Sequence, residues 1–292
     1  MTRIGVAAVQ MACGEDAAAN LAKAEAGVRE AAARGAGVVL LQELFETRYF
    51  PQAMRAERLG LARPIDGHPT LARFAALAAE LGVVLPVSVF ERANNATYNA
   101  VAVIDADGAL LGVYRKSHIP QAPGYQEKYY FTPGDTGFRI WRTRVGPIGV
   151  AICWDQWFPE AARIMALGGA DVLFYPTAIG NDPDYPGEDC APAWQRAMQG
   201  HAAANAVCVV ACNRVGREAE NGRALDFFGA SFVADHTGAM LAEAGRDEET
   251  VIVAEVDLAA IRAHRDAWSF FRDRRPELYG ALLTKDGTTT PT

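Results

Sequence analysis

Three residues have side chains that together could carry out nucleophilic chemistry: Glu43, Lys116 and Cys153. Each stands at or just after the end of an apolar segment of the kind that forms a buried strand. In α/β sheets, reactive groups are placed at such strand ends. A thiol can act as a nucleophile, a poorly hydrated carboxylate can transfer protons, and an ammonium can stabilise a developing oxyanion. The three residue types together therefore suggest covalent catalysis by a cysteine.

The surroundings of Cys153 favour the role of nucleophile. Cys153 ends the apolar segment 146–153, and Pro159, which follows shortly after, suits the first turn of a helix. A cysteine on a strand-to-helix turn faces the N-terminal end of the helix, which lowers the thiol pKa and supplies backbone N–H donors. No histidine with an obvious partner supports a Cys–His pair, since His118 lies near Lys116 but has no evident anchor.

Taken singly, each of the three residues also has an ordinary explanation. A lone cysteine at a strand end is usually a small core residue. A glutamate after a strand is commonly solvated, and a lysine there usually lies on the surface. The segments that surround the three residues therefore decide between chemistry and an ordinary structural role.

Strands and helices alternate along the chain up to about residue 257, and no Ser- or Pro-rich linker interrupts them. Apolar runs predict strands at 4–10, 37–43, 83–91, 98–105, 110–116, 138–143, 146–153, 171–178, 207–215, 229–235 and 251–257. Helical spacing predicts helices at 16–34, 69–81, from 159 onward and at 191–206. Two strand–helix–strand units, 4–43 and 146–178, have similar sequence patterns. Packing the two units sheet to sheet would give a single-domain α/β fold, a four-layer α-β-β-α sandwich.

Composition restricts the class of protein. The 292 residues are 50% hydrophobic and 22% charged, which excludes intrinsic disorder for most of the chain. The formal net charge of −7 provides no electrostatic footprint for nucleic acid or an anionic membrane, and it is compatible with a small cationic substrate. No apolar run approaches the ~20 residues that span a bilayer. We therefore expect no nucleic-acid or membrane partner.

The cysteines and histidines argue against disulfides and metals. Five cysteines are present without a CxxC pair, which disfavours a disulfide framework and favours the reducing cytoplasm. The five histidines form none of the spacings typical of zinc sites. The N-terminal segment is superficially similar to a signal peptide, but we interpret residues 4–10 as the first strand.

The segments around the three residues, LQELF, YRKSHIP and AICWDQWFPE, resemble the three signatures of the nitrilase (carbon–nitrogen hydrolase) superfamily. They occur in the order of that superfamily, and the resemblance extends over nearly the whole chain. It implies an α-β-β-α sandwich in which Glu43 is the general base, Lys116 the oxyanion stabiliser and Cys153 the nucleophile. It also implies no metal or organic cofactor, and a homo-oligomer built from dimers.

Narrower segments, YQEKYYFTPGDTGF, YPTAIGNDP and WQRAMQGHAAAN, resemble the N-carbamoylputrescine amidohydrolase subfamily. This resemblance implies hydrolysis of N-carbamoylputrescine to putrescine, ammonia and carbon dioxide, a reaction of polyamine biosynthesis. It also implies that Glu127 orients Lys116 or the substrate; alternatively, Glu127 is a surface helix residue. Another amidase, a ureidopropionase-like enzyme or a nitrilase on the same triad remains an alternative, as does a non-catalytic binding or assembly protein.

The residues after Cys153 bear on the far end of the substrate. Superfamily members that act on carboxylate-bearing substrates commonly place an arginine two to four residues after the nucleophile. Positions 155–157 here are Asp, Gln and Trp. A bidentate carboxylate clamp is therefore absent there, and we expect Asp155 to repel a substrate carboxylate.

A cationic substrate end has candidate partners instead. We predict that Asp182 pairs with a substrate ammonium, while Tyr49 and Trp154 line the methylene chain with aromatic faces. The alternative is that Asp182 merely starts a loop turn before Pro183. The resemblance to the N-carbamoylputrescine amidohydrolase subfamily implies a longer glutamate at the position of Asp182. The shorter aspartate therefore bears on the length of the substrate chain that the protein prefers.

The C-terminal region is interpreted separately. We assign residues 1–281 to one hydrolase domain, whose segment from about 258 is rich in arginine and aromatic residues and is a candidate subunit contact. The alternative is that this segment folds back on its own domain. Residues 282–292 are expected to be frayed.

Overall fold

The structure, a computed structural model, describes residues 3–181, 184 and 187–288. Its strands are β1 Arg3–Gln10, β2 Val38–Leu41, β3 Leu85–Ala93, β4 Ala96–Ile104, β5 Leu110–Arg115, β6 Ile140–Thr143, β7 Gly146–Val150, β8 Val172–Pro176, β9 Gly180–Asn181, β10 Cys208–Cys212, β11 Val215–Glu220, β12 Arg223–Phe228, β13 Phe232–Ala234, β14 Met240–Glu243 and β15 Thr250–Asp257. Its α-helices are α1 Ala17–Ala33, α2 Pro69–Leu81, α3 Glu127–Tyr130, α4 Pro159–Leu167, α5 Ala191–Asn205 and α6 Leu258–Trp268.

The first sheet has the strand order β15-β1-β2-β3-β4-β5, in which β2 and β3 are joined by a short parallel bridge between Val38 and Val84. Helices α1 and α2 connect the parallel strands β1, β2 and β3. Asp16 caps α1 by accepting hydrogen bonds from two backbone N–H groups of its first turn. Gly82, with a φ of 68°, ends α2 in the left-handed region that glycine tolerates best.

The second sheet follows the same plan. Its strand order is β14-β13-β10-β8-β7-β6, and the central strands β7, β8 and β10 run parallel. Helices α4 and α5 make the two connections between these parallel strands. The echo expected between the two strand–helix–strand units is thus present as two sheets of matching topology.

Alternation along β1 shows how the layers are arranged. Val6 and Ala8 belong to the core between the two sheets, whereas Ala7 and Val9 pack in the core beneath α1 and α2. Helices α4 and α5 cover the outer face of the second sheet, where Trp194 is fully buried. The predicted four-layer α-β-β-α sandwich is confirmed.

A small third sheet, with the order β11-β12-β9, is missing from the sequence prediction. The predicted strand 207–215 ends early, and the hairpin of β11 and β12 follows it. The polar composition of β11 hid this hairpin. Asn221 and Gly222, which turn between the strands with positive φ angles of 51° and 77°, were the signal that could have identified it.

The C-terminal segment divides into two parts. Helix α6 packs on its own domain, because Leu258 and Ile261 are buried in the core and Arg265 contacts Asp171 at 2.8 Å. Residues 258–268 therefore fold back on their own domain, as the alternative interpretation of this segment expects. Beyond them the chain exposes apolar side chains, and a short 3-10 turn over Gly280–Leu283 lies at the start of the region expected to be frayed. Among the described residues, no helix is long and apolar enough to cross a membrane.

Candidate active site

Glu43 lies just beyond β2, where the backbone leaves the sheet. Leu44 takes a strained φ of 51°, and its N–H donates to Ser88 Oγ at 2.9 Å. The Glu43 side chain is fully buried, and its Oε1 accepts from Asn99 Nδ2 at 2.6 Å and from Lys116 Nζ at 2.7 Å. Its Oε2 has no hydrogen-bond partner among the described residues. One oxygen is thus held in place while the other can accept a proton.

Lys116 follows β5, and its main chain is tied down on both sides. Its N–H donates to Asn99 O, and its carbonyl accepts from Gly134 N, each at 2.8 Å. The buried Nζ lies 2.7 Å from Glu43 Oε1 and 2.7 Å from Glu127 Oε2. Burial alone lowers the pKa of Lys116, but the charges of Glu127 and Glu43 outweigh it and raise the pKa above its ordinary value. The side chain is therefore an ammonium.

Glu127 begins α3 and is fully buried, so it is not the surface residue of the alternative interpretation. Its second oxygen, Oε1, accepts from Tyr49 OH at 2.6 Å. Burial, together with the charge of Glu43, raises the pKa of Glu127 to about 7 despite the opposing charge of Lys116. This carboxyl therefore exchanges its proton near neutral pH.

Cys153 lies three residues beyond the end of β7 and begins a one-turn 3-10 helix over Cys153–Trp157, with a φ of 42°. The N–H groups of Cys153 and Trp154 belong to the first turn of this 3-10 helix, where backbone N–H groups have no carbonyl partner within the helix. Asp155 holds the turn, because its Oδ2 accepts from Ile152 N at 2.9 Å and from Tyr114 OH at 2.7 Å. The strained turn thus presents a thiol and two N–H donors together.

The predicted lowering of the Cys153 pKa is wrong. Burial raises the pKa of this thiol well above its ordinary value, and the charge of Glu43 raises it further, while Lys116 opposes both. The N-terminal end of a single 3-10 turn does not compensate for the loss of water. The thiol is therefore protonated at rest and needs a neighbouring base to release its proton.

His118 has a partner that sequence reasoning missed. Asp155 Oδ1 accepts from the main-chain N–H of His118 at 2.9 Å and lies 2.7 Å from the ring Nδ1. The His118 imidazole also stacks on Phe158, with ring centroids 3.6 Å apart. Asp155 thereby links the segment of Lys116 to the turn of Cys153. Asp155 is fully buried and is not among the described residues that line the cavity beside Cys153, so its repulsion of a substrate carboxylate stays a prediction.

A cavity of about 480 Å³ opens beside the thiol. Its described lining includes Cys153, Glu127, the half-exposed Trp154, Glu188 and Asp189. Asp189 is paired with Arg246 at 2.8 Å. None of the described residues that line the cavity is a lysine or an arginine.

Two residues predicted for the substrate site are placed differently or not described. Tyr49 is fully buried, its hydroxyl donates to Glu127, and it is not among the described residues that line the cavity. Asp182 lies outside the described residues. In the part of the chain that the structure describes, no three His, Cys, Asp or Glu side chains are grouped so that they could hold a metal ion.

Comparison with known proteins places this geometry in a family. The carbon-nitrogen hydrolase family profile matches residues 5–266. The chain is 58% identical over 289 residues to N-carbamoylputrescine amidase of Solanum lycopersicum, covering 98% of this chain and 96% of that protein. It is 49% identical over 285 residues to a citrullinase of Francisella tularensis, covering 98% and 100%. A carbon-nitrogen hydrolase structure from Helicobacter pylori G27 superposes with a TM-score of 0.91 and 40% identity, covering 97% and 99%.

The contact between Tyr49 and Glu127 predicts a measurable change in pH dependence. The folded protein retains the Glu127 proton between pH 4.5, the ordinary pKa, and about 7, where the unfolded chain has released it. The contribution of Glu127 to the free energy of unfolding therefore falls as the pH rises through this window. Tyr49→Phe removes a donor to the ionised carboxylate, so the pKa of Glu127 rises further and the fall extends to higher pH.

Urea unfolding of Tyr49→Phe at several pH values from about 5 to 8 measures this effect. The control is Tyr130→Phe, which removes a hydroxyl at the other end of α3 that donates to Ala53 O at 2.5 Å. We expect Tyr130→Phe to keep the pH dependence of the unsubstituted protein. An identical pH dependence in Tyr49→Phe would contradict the assignment.

Proposed function

The chain belongs to the carbon-nitrogen hydrolase family and is an amidohydrolase; we propose that it hydrolyses N-carbamoylputrescine to putrescine, ammonia and carbon dioxide. The observation that carries the proposal is a buried Glu43–Lys116–Glu127 cluster beside a thiol, at a cavity whose described lining contains three carboxylates and no basic residue. The N-carbamoylputrescine amidases of tomato and potato, 58% and 57% identical, support the substrate.

In the first half of the reaction, Cys153 attacks the ureido carbon. The thiol proton passes to Glu43, whose Oε2 is an unoccupied acceptor, and the new S–C bond leaves negative charge on the carbonyl oxygen. The Lys116 ammonium and the Trp154 N–H stabilise that oxyanion. Because the resting thiol has a raised pKa, proton removal by Glu43 and attack are coupled.

In the second half, Glu43 returns the proton to the departing nitrogen, and the C–N bond breaks to leave a thioester-like intermediate on Cys153. Glu43 then takes a proton from one water molecule, whose oxygen attacks the intermediate and releases the thiol. Hydrolysis of the intermediate releases a carbamic acid that still carries the second nitrogen, and loss of carbon dioxide from it breaks the second C–N bond and frees the second amine. The overall reaction consumes one water and yields putrescine, ammonia and carbon dioxide. Lys116, held between Glu43 and Glu127, keeps its charge throughout.

The far end of the substrate carries an ammonium in this proposal. The described cavity lining contains no lysine or arginine. Of its carboxylates, Glu127 is paired with Lys116 and Asp189 with Arg246, so Glu188 is the one that favours a cation. Asp182 remains the predicted partner of the ammonium. Trp154, which lines the cavity and is 41% exposed, supplies an aromatic wall for the methylene chain.

We also propose that the protein works in the cytoplasm as a homo-oligomer built from dimers. The C-terminal segment beyond α6 and the outer face of α4 border a cavity of about 580 Å³. Apolar side chains near this face are exposed, with Leu282 at 64% and Ile164 at 46%. Exposed apolar side chains on one face are typical of a surface that contacts another subunit.

Substitution of the proposed nucleophile and base tests the reaction. Cys153→Ser and Glu43→Gln should each lower kcat for ammonia release from N-carbamoylputrescine by about 100-fold or more, because each removes a group that takes part in bond making or proton transfer. Matched controls are Cys208→Ser, a buried thiol of the same sheet, and Glu46→Gln, three residues after Glu43. Near-normal turnover in either site variant would remove the assignment.

The ammonium anchor is tested separately. Loss of a desolvated charge partner costs about 2–5 kcal/mol, so Asp182→Asn should lower kcat/KM for N-carbamoylputrescine roughly 30-fold or more. An uncharged N-carbamoyl alkylamine should be almost unaffected. The control is Asp184→Asn, whose carboxylate is paired with Arg223 at 2.9 Å. Equal losses on both substrates would refute the anchor, and a preference of the parent enzyme for N-carbamoyl-β-alanine would refute the substrate class.

The oligomer is tested by mass in solution. Light scattering coupled to size exclusion should show a multiple of 31.4 kDa, and Leu282→Glu should shift it toward the monomer because it places a charge on the exposed apolar face. Leu110→Glu, an equally simple change at a residue 47% exposed on β5, serves as the control. A clean monomer for the unsubstituted protein would contradict the proposal.

A further inference from the structure

Arg214 is a fully buried cation between β10 and β11 that the reaction above does not use. Its Nη2 donates to the carbonyls of Glu43 and Leu44 at 3.1 and 2.9 Å. Its Nη1 donates to Thr47 O at 3.1 Å and to Glu218 Oε1 at 2.7 Å. The four terminal hydrogens of the guanidinium therefore have four acceptors, and three of these are main-chain oxygens of the segment that carries Glu43.

Glu218 extends the contact to the second carboxylate of the cluster. Its side chain is 4% exposed, and its Oε2 accepts from Tyr49 N at 2.6 Å. The hydroxyl of the same tyrosine donates to Glu127 Oε1 at 2.6 Å. One buried ion pair thus contacts the backbone of Glu43 directly and reaches Glu127 through Tyr49.

We propose that the buried Arg214–Glu218 pair positions the two carboxylates that flank Lys116. The pair holds Glu43 through its main chain and holds Glu127 through Tyr49. The inference rests on the proposed catalytic role of Glu43. Arg214 and Glu218 act through other residues, because Arg214 contacts the main chain of Glu43 and Leu44, and Glu218 contacts the main chain of Tyr49.

The backbone that follows Glu43 needs such support because Leu44 is strained. Leu44 has a φ of 51°, which costs a residue with a branched side chain free energy unless its surroundings enforce it. The carbonyls on both sides of this residue converge on one nitrogen of Arg214. Removal of that nitrogen leaves two buried carbonyls without their donor, and the turn must change to satisfy them.

Lysine cannot replace Arg214 in this role. A lysine ammonium has three hydrogens on one atom, whereas Arg214 uses four hydrogens on two nitrogens to reach four oxygens. Arg214→Lys keeps the charge opposite Glu218, so the folded state retains a paired carboxylate. The same variant loses at least one of the three main-chain contacts. Arg214→Lys therefore distinguishes the effect of the positive charge from the effect of the hydrogen bonds that hold the main chain in place.

A purely structural role would give a different pattern from a positioning role. Replacing both members of a buried ion pair by apolar residues is often neutral for stability, whereas removing one member is costly. The variant Arg214→Met with Glu218→Met should therefore regain the part of the melting temperature that Arg214→Met loses through the unpaired Glu218 carboxylate. If the pair positions catalytic groups, kcat stays low in the double variant although this part of the stability is recovered.

The experiment measures kcat, KM and melting temperature for these variants, with Arg217→Met as the control on the same hairpin. Arg217 is 66% exposed and pairs with Asp226, so its loss should leave all three quantities unchanged. A displacement of about 1 Å can cost on the order of 100-fold in rate. We expect Arg214→Lys to lower kcat between about tenfold and 100-fold with KM changed less than about threefold.

The second readout is alkylation of Cys153 by iodoacetamide, followed by mass spectrometry of the peptide that contains it. Proton removal by Glu43 governs this rate, so Arg214→Lys and the double variant should both react at least about tenfold more slowly than the unsubstituted protein. Recovery of kcat and alkylation along with melting temperature in the double variant would overturn the inference. Unchanged kcat in Arg214→Lys would overturn it as well.

Failure of the inference is distinguishable from failure of the proposed function. If the unsubstituted protein alkylates no faster than Glu43→Gln, the role of Glu43 itself is refuted. If Glu43→Gln is slow and the Arg214 variants match the unsubstituted protein, the reaction stands and the positioning role is refuted. The alkylation readout needs no knowledge of the natural substrate.

Discussion

The structure depends on one arrangement of buried charge, the Lys116 ammonium shared between the carboxylates of Glu43 and Glu127. All three side chains are withdrawn from water, and each ammonium–carboxylate distance is 2.7 Å. A buried charge is tolerated only when it is paired and hydrogen-bonded. With two acids and one base the cluster carries an excess of negative charge, which burial and the raised pKa of Glu127 reduce. In the proposed reaction, Cys153 therefore releases its proton beside a carboxyl whose own pKa is raised.

The double-sheet architecture brings these groups together from distant parts of the chain. Glu43 comes from the end of β2 in the first sheet, and Cys153 from the end of β7, the first of the parallel strands in the second sheet. Lys116 follows β5, the strand at the edge of the first sheet. Side chains and main chain then join the three segments: Asn99 links Glu43 to Lys116, and Asp155 links the segment after Lys116 to the turn of Cys153.

Strands β2 and β7 end in the same unusual way. Leu44, which directly follows Glu43, has a left-handed backbone conformation with a φ of 51°. Cys153 itself has a left-handed conformation with a φ of 42°. Such conformations persist only where the surroundings enforce them. Around Leu44 the enforcing groups are Ser88 and Arg214, and around Cys153 the enforcing group is Asp155. The cost of the two turns is met by buried hydrogen bonds, and the gain is a reactive side chain that leaves the sheet.

The sequence by itself determined the layered α/β fold and the residues Glu43, Lys116 and Cys153, because periodic apolar runs and short contiguous motifs are local properties. Tertiary structure alone decided the partners of these residues. Asp155 with His118, and Arg214 with the carbonyl of Glu43, are separated by 37 and 171 positions along the chain. It also decided the direction of the Cys153 pKa, since the prediction weighed a helix end and could not include burial beside two carboxylates. Desolvation and long-range charge depend on distances in space, and a linear motif does not contain those distances.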